Sequence, residues 1–102
     1  MPEIDLIIHT PARLRIMAAL ASLDQGGRLA FPTLGSTLGL TDGNLGAHLQ
    51  TLEDAGYIKV EKSFVERKPR TDVAITSRGR TRFEEHVEAL REICRVPNSP
   101  NL

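Results

Sequence analysis

The sequence predicts a mainly α fold carrying a small β-hairpin, an α+β chain in the order α-β-α-α-β-β-α. Three observations point there. Four stretches place apolar residues at helical spacing behind helix-start signals. Two runs, 57–64 and 72–76, favour apolar residues at every second position, as half-buried strands do. Between those runs stand Arg67, Lys68 and Arg70, a loop too charged to be core. The 102 residues, 40% hydrophobic and 25% charged, suffice for one domain with one modest core. That domain is expected over 1–96, with Pro97-Asn98-Ser99-Pro100 opening a flexible tail, 97–102.

Thr10 and Pro11 open the first helix, a capping hydroxyl followed by proline at the first helical position. It runs to about Leu23 and stops before Asp24-Gln25-Gly26-Gly27. Leu14, Met17, Ala18 and Ala21 form one apolar stripe; Ile16, Leu20 and Leu23 form another. A helix apolar on two sides is buried on two sides, and in so small a domain the second side is expected to meet another subunit. Leu29-Ala30-Phe31 is a short extended segment. Pro32 starts a short second helix with Leu34 and Leu38 inward, and Gly39 is its left-handed stop. Leu40 lies buried in the turn. Thr41 caps a third helix, about 42–55, with Asp42 in its first turn, Leu45, Leu49 and Leu52 on one face and Gly56 at its end. In the hairpin Ile58, Val60 and Phe64 share one strand face, with Phe64 a core position like Phe31 and Phe83. The loop is 65–71, stiffened by Pro69. Thr76 or Ser77 caps the last helix, about 77–95. Its Phe83, Val87, Leu90 and Cys94 are spaced 4, 3 and 4, a heptad-like seam.

The second and third helices, joined by a tight turn, form a helix-turn-helix, and the hairpin beside them is a wing. Net charge is zero but uneven: −3 over 1–58, +5 over 59–82 and −2 over 83–102. A neutral chain with one basic block can hold a polyanion through that block, although a solvated hairpin carries the same charge. With the leucines of the third helix inward, its outer face is Gly43, Ala47, Gln50, Thr51 and Asp54, flanked by Asn44 and His48. Such a small, polar face suits a major groove about 12 Å wide. Two glycines near a helix start cost on the order of 1 kcal/mol each relative to alanine. Gly43 is read as allowing close approach to a phosphate, and Gly46 as allowing packing against the second helix.

These motifs resemble a known family. "HTPARLRIMAAL", "LGLTDGNLGAHLQTLEDAGYI", "RKPRT" and "ITSRGRTRFEEHV" look like those of small single-domain winged helix-turn-helix transcriptional regulators of the MarR/ArsR-like superfamily, over roughly residues 4–93. The resemblance implies a bacterial or archaeal, cytoplasmic, dimeric regulator with its third helix in the major groove of double-stranded DNA. On the recognition helix the expected contacts are Thr41, Gly43, Asn44, Ala47, His48, Gln50 and Thr51; Asn44 and Gln50 can pair with adenine. On the wing they are Lys62, Arg67, Lys68, Arg70 and Thr71, to phosphates or a narrow minor groove. Glu53 and Asp54 are expected outside the groove. Arg78, Arg80 and Arg82 either extend the phosphate footprint or, for Arg80 and Arg82, pair with Glu84 and Glu85. The homodimer interface is expected from Leu14, Met17, Phe83, Val87, Leu90 and Cys94, with the face of the first helix left open. A small-molecule or protein effector of unspecified identity is a further partner.

Other classes fit less well. His48 and Glu53 diverge around a helix axis, and no nucleophile-and-base motif or phosphate-cradling glycine loop is present, so no enzyme is expected. His86 and Cys94, eight residues apart, are separated by roughly 12 Å along a helix. They cannot share an ion within one subunit, and neither metal nor cofactor is expected. His9 reads as a local hydrogen-bonding residue. Four aromatics give no stacking platform for single strands. One cysteine, Cys94, precludes an intrachain disulfide, and no run is long enough to suggest a membrane partner or a signal peptide. The remaining alternative is a winged helix that binds proteins without reading DNA sequence. Retention on heparin or random duplex, and its salt dependence, separates the two.

Overall fold

The computed structural model describes residues 3–95, so the expected tail lies outside the described residues. The elements are α1 (Pro11–Ala21), β1 (Leu29–Ala30), α2 (Phe31–Leu38), α3 (Asp42–Asp54), β2 (Ile58–Val65), β3 (Lys68–Ile75) and α4 (Ser77–Cys94). The expected order holds. Three threonines start the long helices: Thr10 accepts from the Arg13 N–H, Thr41 from the Asn44 N–H at 3.2 Å, and Thr76 from the Gly79 N–H at 2.9 Å. Gly39 ends α2 at φ 68°, a left-handed geometry that costs glycine no Cβ clash.

The short β1 joins the hairpin, giving an antiparallel sheet of order β1-β3-β2. Leu29 pairs with Val73 and Ala30 with Asp72. The core gathers Ile16, Met17 and Leu20 of α1, Leu34 and Leu38 of α2, and Leu45, Leu49 and Leu52 of α3. Ile8, Tyr57, Ile58 and Val73 close it. The first three helices each offer an apolar strip to a common centre, so the second and third are packed against the first.

Four expectations change. Met17 is fully buried within the chain and leaves the expected dimer surface; its neighbour in the stripe, Ala18, faces solvent. The inner side of α4 is Gly79, His86 and Ala89, with Phe83 half-buried against the core. Val87 and Leu90 are therefore turned to the flank, and Cys94 is exposed. The loop expected over 65–71 is only a two-residue turn, Glu66-Arg67, because β2 and β3 pair all the way to Val65 and Lys68. Pro69 thus lies in a strand, opposite Phe64. Phe64 itself is 76% exposed rather than core. Its strand face is the core face, but the hairpin outruns the body, so the same alternation that buries Ile58 leaves Phe64 with nothing beneath it.

Gly79 marks the tightest junction. A Cβ there would stand 2.0 Å from the Tyr57 carbonyl oxygen, so α4 passes against the start of β2 at a distance only glycine permits.

Candidate nucleic-acid interface

The outer strip of α3 and the inner face of the wing border one cleft of about 300 Å³, lined by Gly46, Gln50 and Glu53 on one side and Val60, Lys62 and Thr71 on the other. The Glu53 carboxylate accepts the Val60 N–H at 3.3 Å and ties the helix to the wing. Glu53 is therefore a strut between two elements, and its charge is directed at backbone.

Thr41, Gly43, Asn44, Ala47, Gln50 and Thr51 are all exposed on α3. Their hydroxyls and amides are partly engaged. Thr41 is the helix cap, Thr51 donates to the Ala47 carbonyl at 3.3 Å, and Gln50 Nε2 donates to Asp54 Oδ1 at 2.8 Å. Asn44 has the freest side chain of the set among the described residues. Neither glycine is required by packing: a Cβ at Gly43 or Gly46 would meet nothing within 4 Å. The expected packing of Gly46 against α2 does not occur. The glycine that does pack there is Gly35, whose Cβ would touch the Leu40 carbonyl and the Leu45 side chain at 3.4 Å.

His48 is half-buried, and Arg13 NH1 stands 3.1 Å from its Nδ1. Arginine only donates, so Nδ1 accepts and the neutral ring carries its proton on Nε2. Arg13 is itself held by the Ile7 carbonyl. No sequence signal pairs positions 13 and 48; the contact arises because the start of α1 lies against the middle of α3.

The wing residues divide. Arg70 Nε lies 3.1 and 3.0 Å from the two oxygens of buried Asp72, so its charge is neutralised locally. Lys62, Arg67 and Lys68 are exposed and make no ion pair among the described residues. The three arginines at the start of α4 are engaged within the protein. Arg78 donates to the Ala55 carbonyl and lies over the Tyr57 ring, and Arg80 donates to the Ala21 and Leu23 carbonyls. Arg82 pairs with Asp5 at 3.2 Å and with Glu85 at 3.7 Å. Glu84 receives neither of the arginines expected for it.

Next to Arg13, joined to it through the Ile7 backbone, is a polar cluster that no local pattern announced. Asp5 Oδ1 accepts from the N–H groups of Ile7 and Ile8, and Oδ2 from the Tyr57 hydroxyl and Arg82. The Asp5 N–H donates to His86 Nδ1 at 2.9 Å, and His86 Nε2 faces His9 Nδ1 at 3.4 Å. Burial pushes the Asp5 carboxyl up, but the four donors together outweigh it and hold it below its usual value. Burial, then the nearby His9, holds His86 below the usual imidazole value. Among the described residues no group of three or more His, Cys, Asp or Glu is placed to hold a metal ion. No helix among them is long and apolar enough to cross a membrane.

A helix-turn-helix beside a cation-tipped hairpin is a winged-helix arrangement, and residues 12–94 match the family of that description, the winged helix DNA-binding domain. The chain belongs to that family. Its relatives include the uncharacterized protein MJ0432 of Methanocaldococcus jannaschii, 32% identical over 85% of this chain and 91% of the relative. Among solved structures, the transcriptional regulator homologue protein from Pyrococcus horikoshii is 33% identical, with a TM-score of 0.77 over 85% of this chain and 83% of that one. The MepR–DNA complex of S. aureus superposes with a TM-score of 0.70 over 85% of this chain and 68% of MepR; at 18% identity that likeness is one of fold. The neighbours include MarR-family regulators, in keeping with the resemblance read from the sequence.

Proposed function

We propose that this winged helix is a sequence-specific, duplex-DNA-binding transcriptional regulator that acts as a homodimer in a prokaryotic cytoplasm. The observation that carries the reading is the shared cleft: Gly46 and Gln50 of α3 and Lys62 of the wing border the same opening, and the unpaired Arg67 and Lys68 lie further out on the same hairpin. A duplex that receives α3 in its major groove brings its flanking backbone to Lys62, Arg67 and Lys68. Asn44 offers an amide to a base edge, and His48 offers the Nε2–H that Arg13 leaves free. Arg70, already matched to Asp72, stiffens the wing, and Thr71 lines the cleft beside Lys62 as a further contact.

The two contact types respond differently to salt. Phosphate contacts release counterions and carry little sequence information, whereas base contacts specify. The test is a salt titration of affinity on a duplex selected from a random library and on a scrambled one. Arg67→Ala with Lys68→Ala should weaken both duplexes and flatten the salt dependence by roughly 0.9 log units per lost contact. Asn44→Ala should cost about 1–3 kcal/mol on the selected duplex and far less on the scrambled one. If the wild type selects no sequence and binds neither duplex, the winged helix is a protein-interaction module.

A further inference from the structure

We infer that Phe64, with Pro69 opposite it, is an apolar minor-groove contact at the tip of the wing; the inference rests on the DNA-binding reading and adds to it a residue that touches no phosphate. Phe64 is 76% exposed and Val65 50%, both large apolar side chains at the outer end of the hairpin. In a protein this small, an exposed phenylalanine on a hairpin tip loses the roughly 1.5–3 kcal/mol that burial would return. Its surroundings identify what covers it. Val60, Lys62 and Phe64 alternate along one face of β2, opposite Val73, Thr71 and Pro69. That face is core at Val73, borders the α3 cleft at Lys62 and Thr71, and ends in Phe64 and Pro69. The apolar pair therefore continues the surface that the recognition helix presents, one step further out.

The charge around the pair fits a polyanion. Arg67 and Lys68 stand beyond it at the turn and Lys62 just before it, none of them ion-paired among the described residues, so three cations outweigh the single carboxylate of the tip, Glu66. Cations on both sides of an apolar ring suit a minor groove, where phosphates line two rims and sugars form apolar walls between them. Proteins that bind this groove use apolar wedges, phenylalanine included, between basic residues. The turn is also a firm mount. Glu66 and Arg67 take positive φ, 51° and 67°, so the tip has the tight two-residue geometry that fixes hairpin register.

The test uses the full chain and two duplexes carrying the selected site, with the flank under the wing either all A·T or all G·C. The guanine 2-amino group projects into the minor groove and obstructs an apolar contact there. Phe64→Ala should lower affinity about tenfold on the A·T flank and much less on the G·C flank, with Phe64→Leu between. The salt dependence should stay that of the wild type, because no phosphate contact is lost. Wild-type binding left unchanged by Phe64→Ala on both flanks would overturn this inference alone. So would a flattened salt dependence, or a shift of the variant's oligomeric state in sedimentation, which would make the ring an interface between copies. Failure of the wild type to bind either duplex would remove the DNA-binding reading and this inference together.

Discussion

Positions 5, 57, 82 and 86 are spread along the chain, and Tyr57, Arg82 and His86 all meet at Asp5 through hydrogen bonds. His86 must accept the Asp5 N–H, which requires a neutral ring. Its value in the folded state is below the ordinary 6.5, so on acidification the unfolded chain takes up a proton first and stability falls from about pH 6.5 downward. Asp5 is also lowered, from 3.8; its contribution is complete above that value and is lost as pH falls through the lower folded one. Chemical denaturation against pH should therefore show two stages of loss, and His86→Gln should abolish the upper one; a single stage near pH 4 in both proteins would contradict the cluster. Gly79 is decided equally locally. An added methyl meets backbone, which cannot rotate away, so Gly79→Ala should destabilise by at least about 2 kcal/mol in a denaturant titration. These residues were illegible in the sequence because nothing at a local spacing joins position 5 to 86, or 79 to the carbonyl of 57.

Helix α3 shows how far an element can be read from its own residues. Its cap, its leucine stripe and its end follow from Thr41, Leu45, Leu49, Leu52 and Gly56 with no knowledge of neighbours. The role of its glycines does not. With open space around both, Gly43→Ala and Gly46→Ala should raise stability, Gly46 by up to about 1 kcal/mol and Gly43, near the helix start, by less. A rise of several degrees in Tm for Gly46→Ala is the expected reading for a domain of this size. A fall in Tm would mean that α3 has no room for the added methyl. Affinity for the selected duplex should drop as Tm rises, because the methyl enters the cleft. The wing was half legible. Alternation predicted its strands, but their length depended on register, and the placement of Phe64 depended on where the body of the protein stops.

At the scale of the whole molecule, side chains of α1, of α4 and of the segment before α1 leave apolar surface open. Leu6 is 79% exposed and Ile93 67%, Val87 and Leu90 are half-buried, and Leu14 lines a largely apolar hollow with Pro11. A homodimer built from α1 and α4 would cover it. Leu90→Glu should then sediment as a monomer at micromolar concentration where the wild type is a dimer. Two monomeric proteins would exclude this interface. In a two-fold dimer the α3 helices address half-sites about one turn, roughly 34 Å, apart, so the selected site should be an imperfect palindrome.

The sequence by itself determined the order of elements, the helix caps, the leucine core and the basic hairpin. Each rests on neighbours in the chain: a cap three residues from its donor, a stripe at helical period, a strand at period two. Only the tertiary structure decided which charges are free. Seen along the chain, Arg67, Arg70, Arg80 and Arg82 are alike. Folded, Arg70 is matched to Asp72, Arg80 to two carbonyls and Arg82 to Asp5, while Arg67 remains in solvent. It likewise decided that Met17 is core and Phe64 is surface. Period places a side chain on a face, but burial depends on what the rest of the chain brings to that face, and that information is not local.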